Sequence, residues 1–372
     1  MLKYQMYIYV FLVVIGLTLV ACDEDPIVIN PVNNDLINIP FNPVSVTLDI
    51  PFHLGKMVIP EDNPLTKDGI ELGRYLFYDP ILSGDSTLSC AGCHKIEHGF
   101  ADLTATSMGI TGQNGKRNSM SLINVGFSNT GLFWDGRSPN LEAQALVPVE
   151  DPIEMNAYWP DVVEKLKSHS EYPAMFRKAF GIESSSKITK ELVAKALAQF
   201  ERTILSTNSK YDKIQQEIPG YKYTDEELLG LALFIDGEPL VPDAECFHCH
   251  NLNLTSSSLY FNNGIQIAET IEEFKDPGRG GFTGNILDYG TMKVPSLRNI
   301  LFSAPYMHDG RFENLDQVLE HYNSGGHHSP NINANIYKLN LNQEELDALK
   351  AFILTFQDTS FMNNPALKSP FN

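Results

Sequence analysis

Ser89 to Phe100 reads SCAGCHKIEHGF and Ala244 to Asn251 reads AECFHCHN, so four of the five cysteines fall in two copies of Cys-x-x-Cys-His: Cys90, Cys93, His94 and Cys246, Cys249, His250. Three chemistries compete for that arrangement. A zinc site made of two Cys-x-x-Cys pairs separates them by about 15–20 residues, whereas Cys90 and Cys246 stand 156 apart. A thioredoxin-like dithiol needs βαβ surroundings and no histidine after both pairs. Attachment of c-type haem uses every residue, because two thiols bond to the porphyrin vinyls and the adjacent histidine lies beneath the iron as proximal ligand. The duplicated motif predicts two covalently bound c-type haems, with structural disulfides as the alternative use of the thiols.

The surrounding pattern is helical. Val193, Leu197, Phe200 and Ile204 are spaced four, three and four. Thr224-x-x-Glu227 forms a capping box before Leu228, Leu231 and Ile235, and Leu346, Leu349, Ile353 and Phe356 repeat the helical spacing after Asn342. Strand signals are sparse. A repeat, G-x-x-L-F-x-D, occurs at Gly73–Asp79 and at Gly230–Asp236, 17 residues before Cys90 and 16 before Cys246. One helix-plus-motif module is therefore expected twice, in a mainly α fold.

Lys3 precedes an apolar run, Met6 to Ala21, that is short for a membrane span and ends in Leu19-Val20-Ala21-Cys22. This reads as an export signal with a lipobox-like end, which implies lipidation of Cys22 and a chain held by that lipid alone on the periplasmic or cell-envelope side of a bacterial membrane. The alternative is a leftover cysteine at the end of an uncleaved anchor. Without residues 1–21 the chain has 26 basic and 46 acidic residues. So acidic a surface disfavours nucleic-acid phosphate and steers toward a basic partner. The expected organisation is a signal over 1–21, a flexible tether over 22–50, domains over 51–205 and 206–356, and a tail over 357–372.

The stretches LSCAGCHKIEHGFAD, GKRNSMSLINVGF, LFWDGR, EAQALVPVEDPIEMN, CFHCH and KVPSLRNILFSAPYMHDGRFENLDQVLEHY resemble, in order and spacing, the bacterial di-haem cytochrome c peroxidase family, which includes the MauG-type enzymes. The resemblance implies two cytochrome c-like domains, each with one haem, and a calcium ion near their interface. It further implies that hydrogen peroxide is reduced using electrons from a small cytochrome c or cupredoxin. A MauG-like oxidase acting on a partner protein, a di-haem electron carrier and a homodimer are the other expectations it opens.

By the same resemblance Gln144, Pro148 and Glu154 stand over the open face of the first haem. Glu154 would pass a proton between the oxygens of peroxide, Gln144 would orient it, and Trp134 between the haems would relay electrons. Read without the family, Glu154 is an ordinary first-turn residue, Pro148 a loop stiffener and Trp134 a core aromatic. The family's capping histidine falls on Ile110, which cannot bind iron; His98 is a remote substitute. The distal ligand of the second haem falls on Tyr322, with Met307 and His321 as rivals. Calcium would be held by the Asn118 side chain and the carbonyls of Ser303 and Pro305. Arg137, Arg298 and Arg311 are candidates for haem propionates, while His53 has no pattern above that of a surface or loop residue.

Overall fold

The structure, a computed structural model, describes residues 35–235 and 241–371; the export signal and Cys22 lie outside them. The chain is mainly helical. The first half carries α1 (Lys67–Tyr78), α2 (Cys90–Cys93), α3 (Leu141–Glu150), α4 (Trp159–Ser168), α5 (Tyr172–Phe180) and α6 (Lys190–Glu201). The second carries α7 (Lys210–Gln215), α8 (Asp225–Ile235), α9 (Cys246–Cys249), α10 (Gly280–Thr283), α11 (Leu315–Ser324) and α12 (Gln343–Leu354). Strands β1 (Tyr260–Phe261) and β2 (Met292–Lys293) pair antiparallel, Tyr260 opposite Lys293. No helix among the described residues is long and apolar enough to cross a membrane.

The repeated glycine has a steric reason. α1 crosses α6, and a Cβ on Gly73 would lie 2.0 Å from the Ala196 carbonyl oxygen; α8 crosses α12, and a Cβ on Gly230 would lie 1.9 Å from that of Ala348. Phe200 and Phe352 flank the two contacts alike, each with its Cβ at 2.8 Å. Only a residue without a side chain lets the backbones meet so closely. The expected capping box of Thr224 with Glu227 forms, and the structure adds a second, Asn342 with Glu345. One face is turned from expectation: Leu228 is exposed, and α8 buries Gly230, Leu233 and Phe234 instead. Seating Gly230 on α12 fixes that rotation.

Two large hydrophobic cores result among the described residues, beside two small clusters. Leu72, Phe77, Trp159, Phe176 and Phe200 belong to the first; Leu233, Phe234, Leu349, Phe352 and Phe356 belong to the second. Both ends of the described chain depart from the expected tether and tail. Leu36 is buried with its N–H on the Glu183 carbonyl, and the Val46 and Lys67 N–H groups bond to Leu65 and Val44, because apolar residues interleaved in this Asn- and Pro-rich stretch give it a face to bury. The tail likewise returns, placing Phe361 and Leu367 in the first core.

Arg298 is not free for a propionate. Its guanidinium is wholly buried and grips Asp212 at 2.9 and 2.8 Å, while His53 Nε2 meets the same carboxylate at 2.7 Å. His53 is thus a buried partner rather than a surface residue.

Candidate haem and peroxide site

Each Cys-x-x-Cys occupies a single helical turn that delivers its histidine to the C-cap, with the His94 N–H on the Cys90 carbonyl at 2.9 Å and the His250 N–H on that of Cys246 at 2.8 Å. The rings are then oriented alike. Nδ1 of His94 donates to the Phe100 carbonyl and Nδ1 of His250 to that of Thr255, both at 2.9 Å. This fixes the tautomer that leaves a lone pair on Nε2, and burial lowers both histidines' proton affinity, keeping them in the neutral, metal-binding form. The four cysteines of the two motifs form no disulfide with one another, so the disulfide alternative is not realised among them. Burial pushes Cys90 and Cys246 up to about 12, the opposite of a redox-active dithiol. Donors of this type, thus arranged, fit c-type haem.

His94 and Cys93 line a first cavity together with Gln144, Pro148 and Glu154. Asn140 caps α3 by accepting the Ala143 N–H at 2.8 Å, and Gln144 and Pro148, four residues apart, share one face of that helix. Glu154 follows in the turn after α3 rather than in a helix. The loop before it is pressed close: the Ile110 N–H bonds to the Glu154 carbonyl at 3.0 Å, and a Cβ on Gly109 would lie 1.7 Å from the Ile153 carbonyl oxygen. Burial raises the Glu154 carboxyl above the usual range, Asp151 adds to this and Arg137 opposes it. Ile110 and His98 are absent from the lining; Ser107, Met108 and Gly109 are the loop residues present, and Met108 had no sequence signal.

His250, Cys246 and Cys249 line a second cavity with Met307 and Tyr322. Asn263, which carried no signal in the sequence, donates from Nδ2 to the Tyr322 hydroxyl at 3.0 Å and to Met307 Sδ at 3.5 Å. Burial pushes the Tyr322 phenol up to about 12. His321 turns away from this cavity, its ring against the Asn263 carbonyl and Phe312.

The two sites are built on the same frame. In the first, the Leu132 N–H bonds to the Ser138 carbonyl at 2.7 Å around a turn with φ of 63° at Phe133 and 74° at Gly136. In the second, the Tyr306 N–H bonds to that of Phe312 at 2.7 Å around a turn with 74° at Met307 and 64° at Gly310. Asn140 and Asn314 then cap α3 and α11 alike. Counting from the first helical residue places Pro148, seven after Leu141, at the station of Tyr322, seven after Leu315. Trp134 corresponds to His308.

Asn118, Trp134 and Lys293 line both cavities. Trp134 donates from Nε1 to the Asn118 carbonyl at 2.9 Å, accepts the Lys293 N–H at 2.7 Å and stands edge-on to His308 at 6.4 Å. Asn118, Ser303 and Pro305 share the second cavity's lining. The Asn118 amide nitrogen is spent on the carbonyls of Thr104 and Ala105, leaving Oδ1 as the atom able to meet a cation. Arg137 pairs with Asp135 and stacks on Phe133, and Arg311 pairs with Asp309.

Comparison with known proteins agrees with this arrangement. Residues 67–218 match the family model described as di-haem cytochrome c peroxidase. The chain is 33% identical over 301 residues to methylamine utilization protein MauG of Methylorubrum extorquens, covering 80% of each. It is 36% identical over 268 residues to cytochrome c551 peroxidase of Nitrosomonas europaea, covering 71% of this chain and 74% of that one. A crystal structure of a MauG-like protein associated with microbial copper homeostasis superposes with a TM-score of 0.80 at 31% identity, over 88% of this chain and all of the other.

Proposed function

This chain belongs to the di-haem cytochrome c peroxidase family, and from that premise we propose how its residues divide the reduction of hydrogen peroxide to water. It is an oxidoreductase of the peroxidase type with two haems. When bound, the haems supply the iron at which the O–O bond is cleaved and the two electrons it requires.

In our reading Cys90, Cys93 and His94 would hold one haem, and Cys246, Cys249 and His250 the other. A small cytochrome c or cupredoxin delivers electrons on the His250 side, drawn in part by the acidic net charge. Trp134, in the wall both cavities share, is the relay. Gln144 orients peroxide, and Glu154 takes a proton from one peroxide oxygen and returns it to the other, so that water can leave. The observation that carries this division is the equivalence of Pro148 and Tyr322 on one frame. Where the second site presents a phenol that could ligate a haem iron, the first presents a ring that could not, which would leave room there for peroxide beside Gln144 and Glu154. Calcium at Asn118, Ser303 and Pro305, a lipid on Cys22 and an envelope location complete the proposal.

Stopped-flow oxidation of a ferrous cytochrome c by peroxide tests it, in the fully oxidised and the one-electron-reduced enzyme. Glu154→Gln is expected to slow turnover by about 10²–10⁴-fold with both haems retained; unchanged turnover removes Glu154 from the mechanism. Equal activity of the two redox forms would accord with a first site open at rest.

Tyr322 in the second cavity favours one further reading, a MauG-like oxidase that uses peroxide to oxidise residues of a partner protein. Failure to oxidise any small donor, with peroxide still consumed when a protein substrate is present, would select it.

A further inference from the structure

The buried lysines and arginines among the described residues are Arg202, Lys293 and Arg298. Arg202 pairs with Glu142 at 2.7 Å and Arg298 with Asp212 at 2.8 Å. Lys293 pairs with no carboxylate among the described residues. Its Nζ donates to Ser128 Oγ and to the Gly131 carbonyl, both neutral, and burial pushes the ammonium down to about 8. A buried charge without a counter-charge is among the costliest features a fold can carry, so its retention calls for an anion.

The position says which anion. Lys293 lies in β2, in the half of the chain that carries the second motif, yet its side chain reaches across to Ser128, which lines the first cavity and not the second. Two of its three N–H donors are used there, and one remains. A haem carries two propionate carboxylates, and the first cavity offers them no other cation that is both buried and unpaired.

We propose that Lys293 is the counter-ion of a propionate of the first haem, so that the second half of the chain supplies a charge to the peroxide site. The proposal rests on a haem bound at His94. It makes Lys293 a positioning residue: its charge fixes the haem edge against the wall that holds Trp134. The bond from the residue 293 N–H to the Trp134 carbonyl is backbone, so side-chain substitutions leave it in place.

The test uses the holoenzyme, with K293Q to remove the charge while keeping a polar side chain and K293R to keep the charge. Spectroelectrochemical titration of both haems is read beside redox-difference infrared spectra with isotope-labelled propionate carboxylates. In K293Q the reduction equilibrium of the His94 haem is expected to fall at least tenfold toward the oxidised form, with a smaller change at the His250 haem. The labelled carboxylate band should move, and K293R should restore both. Unmoved potential and band, or a shift confined to the His250 haem, overturns the proposal. Should K293Q fail to fold, a wild-type spectrum showing the first-haem propionates as protonated carboxyls overturns it equally. A wild-type chain with fewer than two haems by pyridine haemochrome would instead refute the premise.

Discussion

Glu154 owes its proton affinity to burial, and Arg137 is the charge that restrains it. Acting as a base requires the carboxylate, so the acid limb of the pH–rate profile should lie above the ordinary glutamate range. Arg137→Gln removes the opposing charge and should move that limb to higher pH, with the alkaline side unaffected; an unmoved limb would assign it to another group. Stability runs in the matching direction. A carboxyl whose folded affinity exceeds its unfolded one favours folding below the ordinary glutamate value, and that contribution is lost as pH rises through its own. At this scale the sequence was legible where chemistry demands a residue type at fixed spacing, as in the two cysteine motifs. Lys293, Asn263 and the pair of His53 with Asp212 were not, because burial and partnership come from segments far apart in the chain.

Among elements, the two helix crossings are the most constrained contacts. Gly73→Ala and Gly230→Ala each place a methyl within 2.0 Å of a backbone oxygen, which no rotamer change relieves. Parting the helices should cost about 1–3 kcal/mol in each case, seen as a lower melting temperature. The haem spectrum should change at the first site for Gly73→Ala and at the second for Gly230→Ala; a change at the opposite haem would contradict two separately built cores. Helix existence was readable from apolar spacing and one capping box, but rotation was not. Of the apolar stripe Leu228, Leu231 and Ile235 the last two pack against the second core while Leu228 is left exposed, since the glycine contact admits one orientation and a leucine tolerates exposure. The correspondence of Pro148 with Tyr322 was hidden for a related reason: the two helices share caps and an entering turn more than they share residues.

Across the whole molecule, Asp212 of α7 gathers partners from distant parts of the chain, His53 near the start of the described residues and Arg298 after β2. Burial acts to raise this carboxyl, but Arg298, Ser209 and His53 overcome it and hold the group below the usual aspartate range. Its contribution is therefore present above the unfolded value and lost as pH falls through the folded one. Asp212→Asn leaves Arg298 buried and unpaired and should destabilise by about 3–5 kcal/mol at neutral pH. The wild-type advantage should shrink in strong acid; a difference in denaturant midpoint that persists there would show that packing, not charge, is responsible. The two-core plan was legible from the repeat, whereas the ends of the chain were misread because composition reports polarity and not where a few apolar residues dock.

The return of the chain's end has a consequence for assembly. The second core is complete once Phe356 is available, but the first waits for Phe361 and Leu367. Translation delivers the first half earliest and supplies its closing residues last, so the half made first is the last to receive all of its core residues. A chain ending between those points would hold every described residue of the C-terminal core beside an N-terminal core still lacking two of its side chains.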